Sequence, residues 1–346
     1  MTVNQPSAVP TVEPDDGAVV RVDRLTVTYG AFTAVRDVSF RIPPGEVFGL
    51  VGPNGAGKTS IVEAVGGLHR PARDGAVSVC GHDPRTDREA VTRLVGMQLQ
   101  ESQFPSRARV GELCELYEAI YRAPGASTAL LESFGLADRR RSLIADLSGG
   151  MRQRLALALA QIGDVRLVIL DELTTGLDPH QRRETWRSVL DLAARGVAVL
   201  LTSHAMDEVE ALCGRVGVLR AGELVALDPP ARLTEAHAGP SAFSVDLRAV
   251  ADAGGPGAGA KGADGKGAGE IGAGGIELRL DGLGLTRLPG APDRLEYAGA
   301  FPADYDRIVR LLADAGLPPS AVSRRTPTFE DAYLNLVGGT ERKEAA

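Results

Sequence analysis

Residues 52–59 read GPNGAGKT and fill every fixed position of the pattern G-x-x-x-x-G-K-[ST]. They follow Val47-Phe48-Gly49-Leu50-Val51, a short apolar run with the composition of a buried strand. A strand that curls through glycines into a helix aims consecutive backbone N–H groups at one point, and the helix N-terminus adds partial positive charge there. Gly52, Pro53, Asn54, Gly55, Ala56 and Gly57 form this cradle. Lys58 would reach the β- and γ-phosphates, and the Thr59 hydroxyl would sit on Mg²⁺. The alternative is a plain glycine-rich turn between a strand and a helix, against which stand the filled fixed positions and the preceding strand. The expected ligand is a nucleoside triphosphate.

Two further apolar runs, Leu167–Leu170 and Val197–Leu201, also read as strands buried on both faces, the mark of a parallel sheet. The first ends in Asp171-Glu172 and the second in Thr202-Ser203-His204. Ligands of open parallel sheets gather at the carboxyl ends of the strands, so three polar clusters are expected at one site. Phosphoryl transfer needs a carboxylate for the metal and a group that orients the attacking water. Asp171 suits the metal, through water, and Glu172 suits the water; otherwise the two acids would cap the following turn. Leu147-Ser148-Gly149-Gly150-Met151 places a second anion-attracting helix N-terminus in a chain with one phosphate loop.

Around these motifs, residues 18–238 alternate strand-like and helix-like segments, and a mostly helical insert is expected at about 101–160. Within it Val110, Leu113, Cys114, Tyr117, Ile120 and Tyr121 recur at helical spacing, and RLALALA (154–160) is read as helix on propensity. Residues 239–346 are expected to form a small α+β domain. Strands are expected at Ser241–Leu247, Ile276–Leu280 and Arg294–Tyr297, with helices at Asp304–Ala315 and Thr328–Val337. Residues 254–275 hold eleven glycines, so a flexible loop is expected over 250–275. Residues 1–17, rich in Pro, Ser and Asp, are expected to be a disordered leader.

The composition is 44% apolar and 24% charged with a formal charge of −7, which argues against a broad surface for nucleic acid or acidic lipid. Cys80, Cys114 and Cys213 form no C-x-x-C pair and suit buried thiols in a reducing compartment. No run reaches membrane-spanning length, so a soluble protein is expected. His69, His82, His180 and His237 lack a comparable motif context and are assigned no role.

The motifs in order resemble the ATP-binding cassette (ABC) family. Leu147-Ser148-Gly149-Gly150-Met151 is similar to its LSGGQ signature, with Met151 in place of Gln. Tyr29 matches the aromatic that stacks on adenine, with a core aromatic as the alternative. Gln100 matches the glutamine that senses Mg²⁺, and Gln98 competes with it for that place. Gly176-Leu177-Asp178 matches the D-loop, and His204 the switch that contacts the γ-phosphate.

The resemblance implies an α/β P-loop NTPase fold with a parallel-sheet core, a helical signature subdomain and a small C-terminal α+β domain. It implies ATP and Mg²⁺ as ligands. The catalytic residues would be Glu172, His204 and Lys58. ATP would be bound by Tyr29, Gly52 through Ser60, Gln100, Ser148, Gly149, Gly150 and Asp178, and the metal by Thr59, Gln100 and Asp171. It also implies a head-to-tail homodimer of cassettes and a separate integral-membrane permease, which would hold the chain at the inner face of the cell membrane. The tail Pro327-Thr328-Phe329-Glu330-Asp331-Ala332-Tyr333 resembles that of drug- and antibiotic-exporter cassettes of the daunorubicin-resistance type, and so points to export. The competing expectation is an ABC ATPase that acts on nucleic acid or the ribosome.

Overall fold

The computed structural model describes residues 17–68, 72–98, 104–174, 176–246, 280–288, 294–299, 301–314 and 322–338. Residues 1–16 of the expected leader, Gln100 and the loop 250–275 lie outside them. The chain divides into two compact units, one running to Leu233 and including residues from Tyr333 onward, the other Thr234–Ala332.

The first unit opens with strands β1 (Val20–Tyr29), β2 (Phe32–Ile42) and β3 (Val47–Val51), then helix α1 (Lys58–Gly66) and β4 (Ala72–Val79). After α2 (Arg88–Leu94) come β5 (Val95–Gln98), α3 (Val110–Tyr121), α4 (Ala126–Ser133) and α5 (Gly149–Leu159). β6 (Leu167–Asp171), α6 (Pro179–Ala194), β7 (Ala198–Thr202), α7 (Met206–Leu212), β8 (Arg215–Arg220), β9 (Glu223–Asp228) and α8 (Pro230–His237) follow. Among the described residues the main sheet runs β5-β6-β7-β3-β8-β9, parallel except for the antiparallel β8–β9 edge. β3 and β7 are buried at every position, as strands covered on both faces must be.

A second, antiparallel sheet, β2-β1-β4, shares one core with the first. Val20 and Val22, and beyond a register shift Leu25 and Val27, face that core. Phe40 on β2 stacks on Phe48 on β3 with ring centroids 4.9 Å apart. Arg215 clamps the same seam, donating from Nε and Nη2 to the two Glu46 carboxylate oxygens at 2.7 Å each and from Nη2 to Arg41 O at 2.9 Å.

In the helical segment, Ser148 caps α5, and Leu155 through Leu159 are all buried. The alternating RLALALA pattern therefore lies on a helix covered on most sides, where burial is no guide to period. On α3, Val110, Leu113 and Cys114 are buried while Leu116 and Ile120 are 52% and 56% exposed, so Ile120 lies off the buried stripe.

The second unit is a four-stranded antiparallel sheet, β11-β12-β10-β13 in order, made of β10 (Ser241–Asp246), β11 (Thr286–Leu288), β12 (Arg294–Gly299) and β13 (Val322–Arg325). Helix α9 (Ala303–Asp314) buries Ile308 and Leu312, which join a core with Phe243, Val245, Leu280, Leu295, Tyr297 and Val322. Leu280, expected at the end of a strand, is instead helical, and residues 276–279 lie outside the described residues. Helix α10 (Phe329–Gly338) begins with the expected capping pair. Thr328 N donates to Asp331 Oδ2 at 2.9 Å, and Asp331 N donates to Thr328 Oγ1 at 3.3 Å.

Two outcomes follow from these contacts. A Cβ on Gly96 would lie 1.7 Å from Ala160 O, a clash with backbone that no side-chain movement can relieve. Gly96→Ala should therefore cost about 2–3 kcal/mol, seen as a fall of roughly 5–10 °C in Tm by calorimetry. At Asp331, partial burial alone would raise the carboxyl pKa. The Thr328 N–H and hydroxyl and the Arg325 guanidinium outweigh it and hold the pKa below the usual carboxylate range. The resulting stabilisation is present above the unfolded-state pKa and is lost as pH falls through the lower folded-state value. The Tm difference between wild type and Asp331→Asn should therefore shrink from about pH 5 toward about pH 2.

Candidate functional site

The phosphate loop connects β3 to α1, and its shape is set by backbone packing. Gly57 caps α1 at φ +104°, and a Cβ there would lie 2.5 Å from Ala34 O. A Cβ on Gly52 would lie 2.5 Å from Leu219 O on β8. Ala56 O accepts from Gly222 N at 3.2 Å, which ties the loop to the β8–β9 turn. Lys58 Nζ donates to Gly52 O at 2.7 Å and to Pro53 O at 3.2 Å, so the ammonium lies along the loop. Burial pulls its pKa down, while the nearby Asp171 and Glu172 carboxylates pull it up. A cation disfavoured by burial gains strongly from an arriving anion.

Strand register brings the other clusters to the same level. Leu50 on β3 pairs with Thr202 on β7, and Thr202 pairs with Asp171 on β6. Thr202 Oγ1 donates to Asp171 Oδ1. Glu172 sits at φ +53°, a left-handed conformation that costs a non-glycine residue about 1–2 kcal/mol, and its N–H donates to Thr202 O at 3.0 Å. That kink turns Glu172 out of the β6 line, and its Oε1 lies 3.3 Å from His204 Nδ1. The Glu172 side chain is 22% exposed and that of His204 65% exposed, an open pair beside the phosphate loop.

Tyr29 ends β1 over the start of α1. Its hydroxyl lies 3.2 Å from Ser60 Oγ and donates to Glu63 Oε2 at 3.3 Å, while the residue is 36% exposed. It is not a core aromatic. Gln98 is buried at the end of β5, and its Oε1 has no hydrogen-bond partner among the described residues.

Ser148 Oγ accepts from Met151 N at 3.2 Å, and Ser148 and Gly149 are exposed at the start of α5. Gly150 fits closely against Gln181 on α6, where a Cβ would meet the side chain at 2.8 Å. Asp178 caps α6, accepting from His180 N at 2.9 Å and Gln181 N at 3.0 Å. The structure thus joins the phosphate loop, Asp171, Glu172, His204 and Tyr29 in one place. It joins the signature loop to the Asp178 helix instead. Among the described residues no hydrogen bond links Ser148–Gly150 to Gly52–Ser60.

Sequence reasoning did not single out Thr202 as the partner of Asp171, or Glu63 as that of Tyr29. A hydroxyl closing a wholly apolar strand was the available signal for Thr202; Glu63 had none.

Among the described residues no group of three or more His, Cys, Asp or Glu side chains could hold a metal alone. A metal here would draw ligands from phosphate oxygens, water, the exposed Thr59 and a carboxylate. That fits Mg²⁺, which keeps several waters and is commonly shared between protein and phosphates.

A parallel sheet carrying a phosphate loop at the carboxyl end of a central strand is the fold of a P-loop nucleoside-triphosphate-binding protein. The model of the ABC transporter family matches residues 35–175. Daunorubicin resistance ATP-binding protein DrrA3 of Streptomyces coeruleorubidus is 34% identical over 335 residues, which cover 94% of this chain and 98% of that protein. Nod factor export ATP-binding protein I of Rhizobium leguminosarum bv. viciae is 40% identical over 220 residues, 62% of this chain and 70% of that protein. Among solved structures, an ATP binding subunit of an ABC transporter aligns with a TM-score of 0.58 at 26% identity, covering 63% of this chain and 92% of its own. The cbiO1 protein from Clostridium perfringens, at 21% identity and a TM-score of 0.56, shares the fold over 63% of this chain and 91% of its own. The chain belongs to the ABC transporter family.

The fit at Gly52 has a direct consequence. Gly52→Ala pushes the loop off β8, and ATP affinity measured by a fluorescent nucleotide should fall about tenfold or more, with a Tm loss of a few degrees from overpacking of about 1–3 kcal/mol.

Proposed function

We propose that this chain is the ATP-hydrolysing subunit of an exporter for a drug-like, antibiotic or lipid-like molecule. The observation that carries the proposal is the Glu172–His204 pair, 3.3 Å apart at the carboxyl ends of neighbouring strands and beside Lys58.

The backbone of Gly52–Gly57 and the start of α1 bind the phosphates of ATP, with Lys58 on the β- and γ-groups and Ser60 in the same turn. Tyr29 stacks on the adenine. Glu172 orients the attacking water and accepts its proton. His204, with Nδ1 toward Glu172, presents Nε2 to the γ-phosphate. Bound Mg²⁺ would be held by Thr59, by Gln100 and, through water, by Asp171, and would offset phosphate charge. Hydrolysis forms a bond from water oxygen to the γ-phosphorus and breaks the bond to ADP, with electrostatic positioning as the main contribution.

The exposed start of α5 gives the reason for a second copy. Ser148 and Gly149 are exposed at a helix N-terminus that makes no hydrogen bond to the chain's own phosphate loop among the described residues, and in this reading they, Gly150 and Asp178 complete the ATP site of a partner in a head-to-tail homodimer. ATP that binds the closed dimer better than the open one drives closure, and hydrolysis reverses it. Among the described residues no helix is long and apolar enough to cross a membrane. In this reading a separate permease supplies the path, and the chain works at the inner face of the membrane bound to it. Export is supported by the relatives named for daunorubicin resistance and Nod factor export.

Glu172→Gln should keep ATP affinity and lose about 100-fold or more in kcat. In gel filtration with Mg-ATP it should elute at twice the mass seen without nucleotide. A protein that stays monomeric there contradicts the shared site.

A further inference from the structure

The side chain of His204 is 65% exposed, so close packing does not hold it against Glu172. The residues on either side of it are held firmly. Ser203 is 3% exposed, and its hydroxyl donates to Glu208 Oε2 at 2.6 Å. The N–H of Ala205 donates to the same Ser203 Oγ at 3.0 Å. Glu208, on α7, is fully buried, and its Oε1 accepts from Trp186 Nε1 at 3.2 Å across on α6. The peptide that carries His204 is therefore bracketed by one hydroxyl, and that hydroxyl is anchored to a carboxylate fixed between two helices. α6 is the helix whose N-terminus Asp178 caps.

A carboxylate with no solvent contact is expensive unless its oxygens are satisfied by hydrogen bonds. A hydrophobic residue on α7 would fill the same space at lower cost. The cost is understandable if the two acceptor oxygens are needed in place.

We infer that Glu208 is a positioning residue for ATP hydrolysis: through Ser203 it sets where His204 stands against Glu172, and through Trp186 it ties that placement to helix α6. The inference rests on the reading of His204 as the γ-phosphate contact. A carboxylate suits this position because it can accept from Ser203 and Trp186 at once through separate oxygens, which neither an aliphatic residue nor a single hydroxyl can do. Its effect is on placement, so it belongs to kcat rather than to ATP affinity.

The test is a set of double-mutant cycles on the full chain, with steady-state ATP hydrolysis as the readout. Ser203→Ala and Glu208→Gln are made in wild type and in His204→Ala. In wild type, Ser203→Ala should lower kcat about tenfold with KM for ATP changed less than about twofold, and Glu208→Gln, which keeps an acceptor, should lose less. In the His204→Ala background neither substitution should lower kcat further, because the group they place is gone. Equal losses in both backgrounds, or a rise in KM with kcat unchanged, would show a purely structural role and overturn the inference while leaving His204 in its place. Full kcat in His204→Ala alone would overturn the reading of the site as well. Trp186→Phe, which removes the Nε1–H and keeps an aromatic ring, provides the same cycle if Glu208→Gln does not fold.

Discussion

A loop can cradle phosphate only while its N–H groups point inward, and in this chain that orientation depends on contacts of backbone with backbone. Gly52 lies against Leu219 O and Gly57 against Ala34 O, each so close that a methyl group would sit 2.5 Å from a carbonyl oxygen. The walls belong to β8 and to β2, strands of different sheets. The stack of Phe40 on Phe48 and the Arg215–Glu46 clamp keep those sheets in contact. The anion site is thus a product of how two sheets pack. Its glycines are required by space as well as by φ.

The same packing sets the chemistry around the loop. β3, β7 and β6 are neighbours and end at one level, so a cation, a hydroxyl and two acids meet where their strands stop. Asp171 continues its strand and is held by Thr202, whereas Glu172 leaves it through a left-handed residue toward His204. Adjacent acids in sequence thus receive different surroundings. A strained backbone at a group of this kind is commonly where function resides.

Much of this was legible before folding. The phosphate loop is a local motif: every fixed position lies within eight consecutive residues, and the preceding apolar run identifies its strand. The three buried strands were visible because parallel strands covered on both faces lose polar alternation. Capping at Thr328 and Asp331 was readable for a similar reason, since both partners lie within one turn. The strand expected to end at Leu280 shows the limit, because a short apolar run has no period that separates strand from helical turn. Tyr29 was ambiguous in the same way, since a strand aromatic looks alike whether it faces the core or solvent.

By itself, the sequence determined that the chain has one phosphate loop, acids and a histidine at apolar strand ends, a signature-like turn and a tail that resembles those of exporter cassettes. These are short-range patterns, and each needs only its own few residues to be read. Tertiary structure alone decided that Thr202 serves Asp171, that Glu172 turns toward His204, that Tyr29 rests on Ser60 and Glu63, and that Glu208 joins Ser203 to Trp186. Those pairings span 22 to 34 residues, save for the neighbours around His204, and depend on strand order and helix packing. A side chain's partner across a sheet is set by register and burial, and neither is written in the residues on one side of the contact.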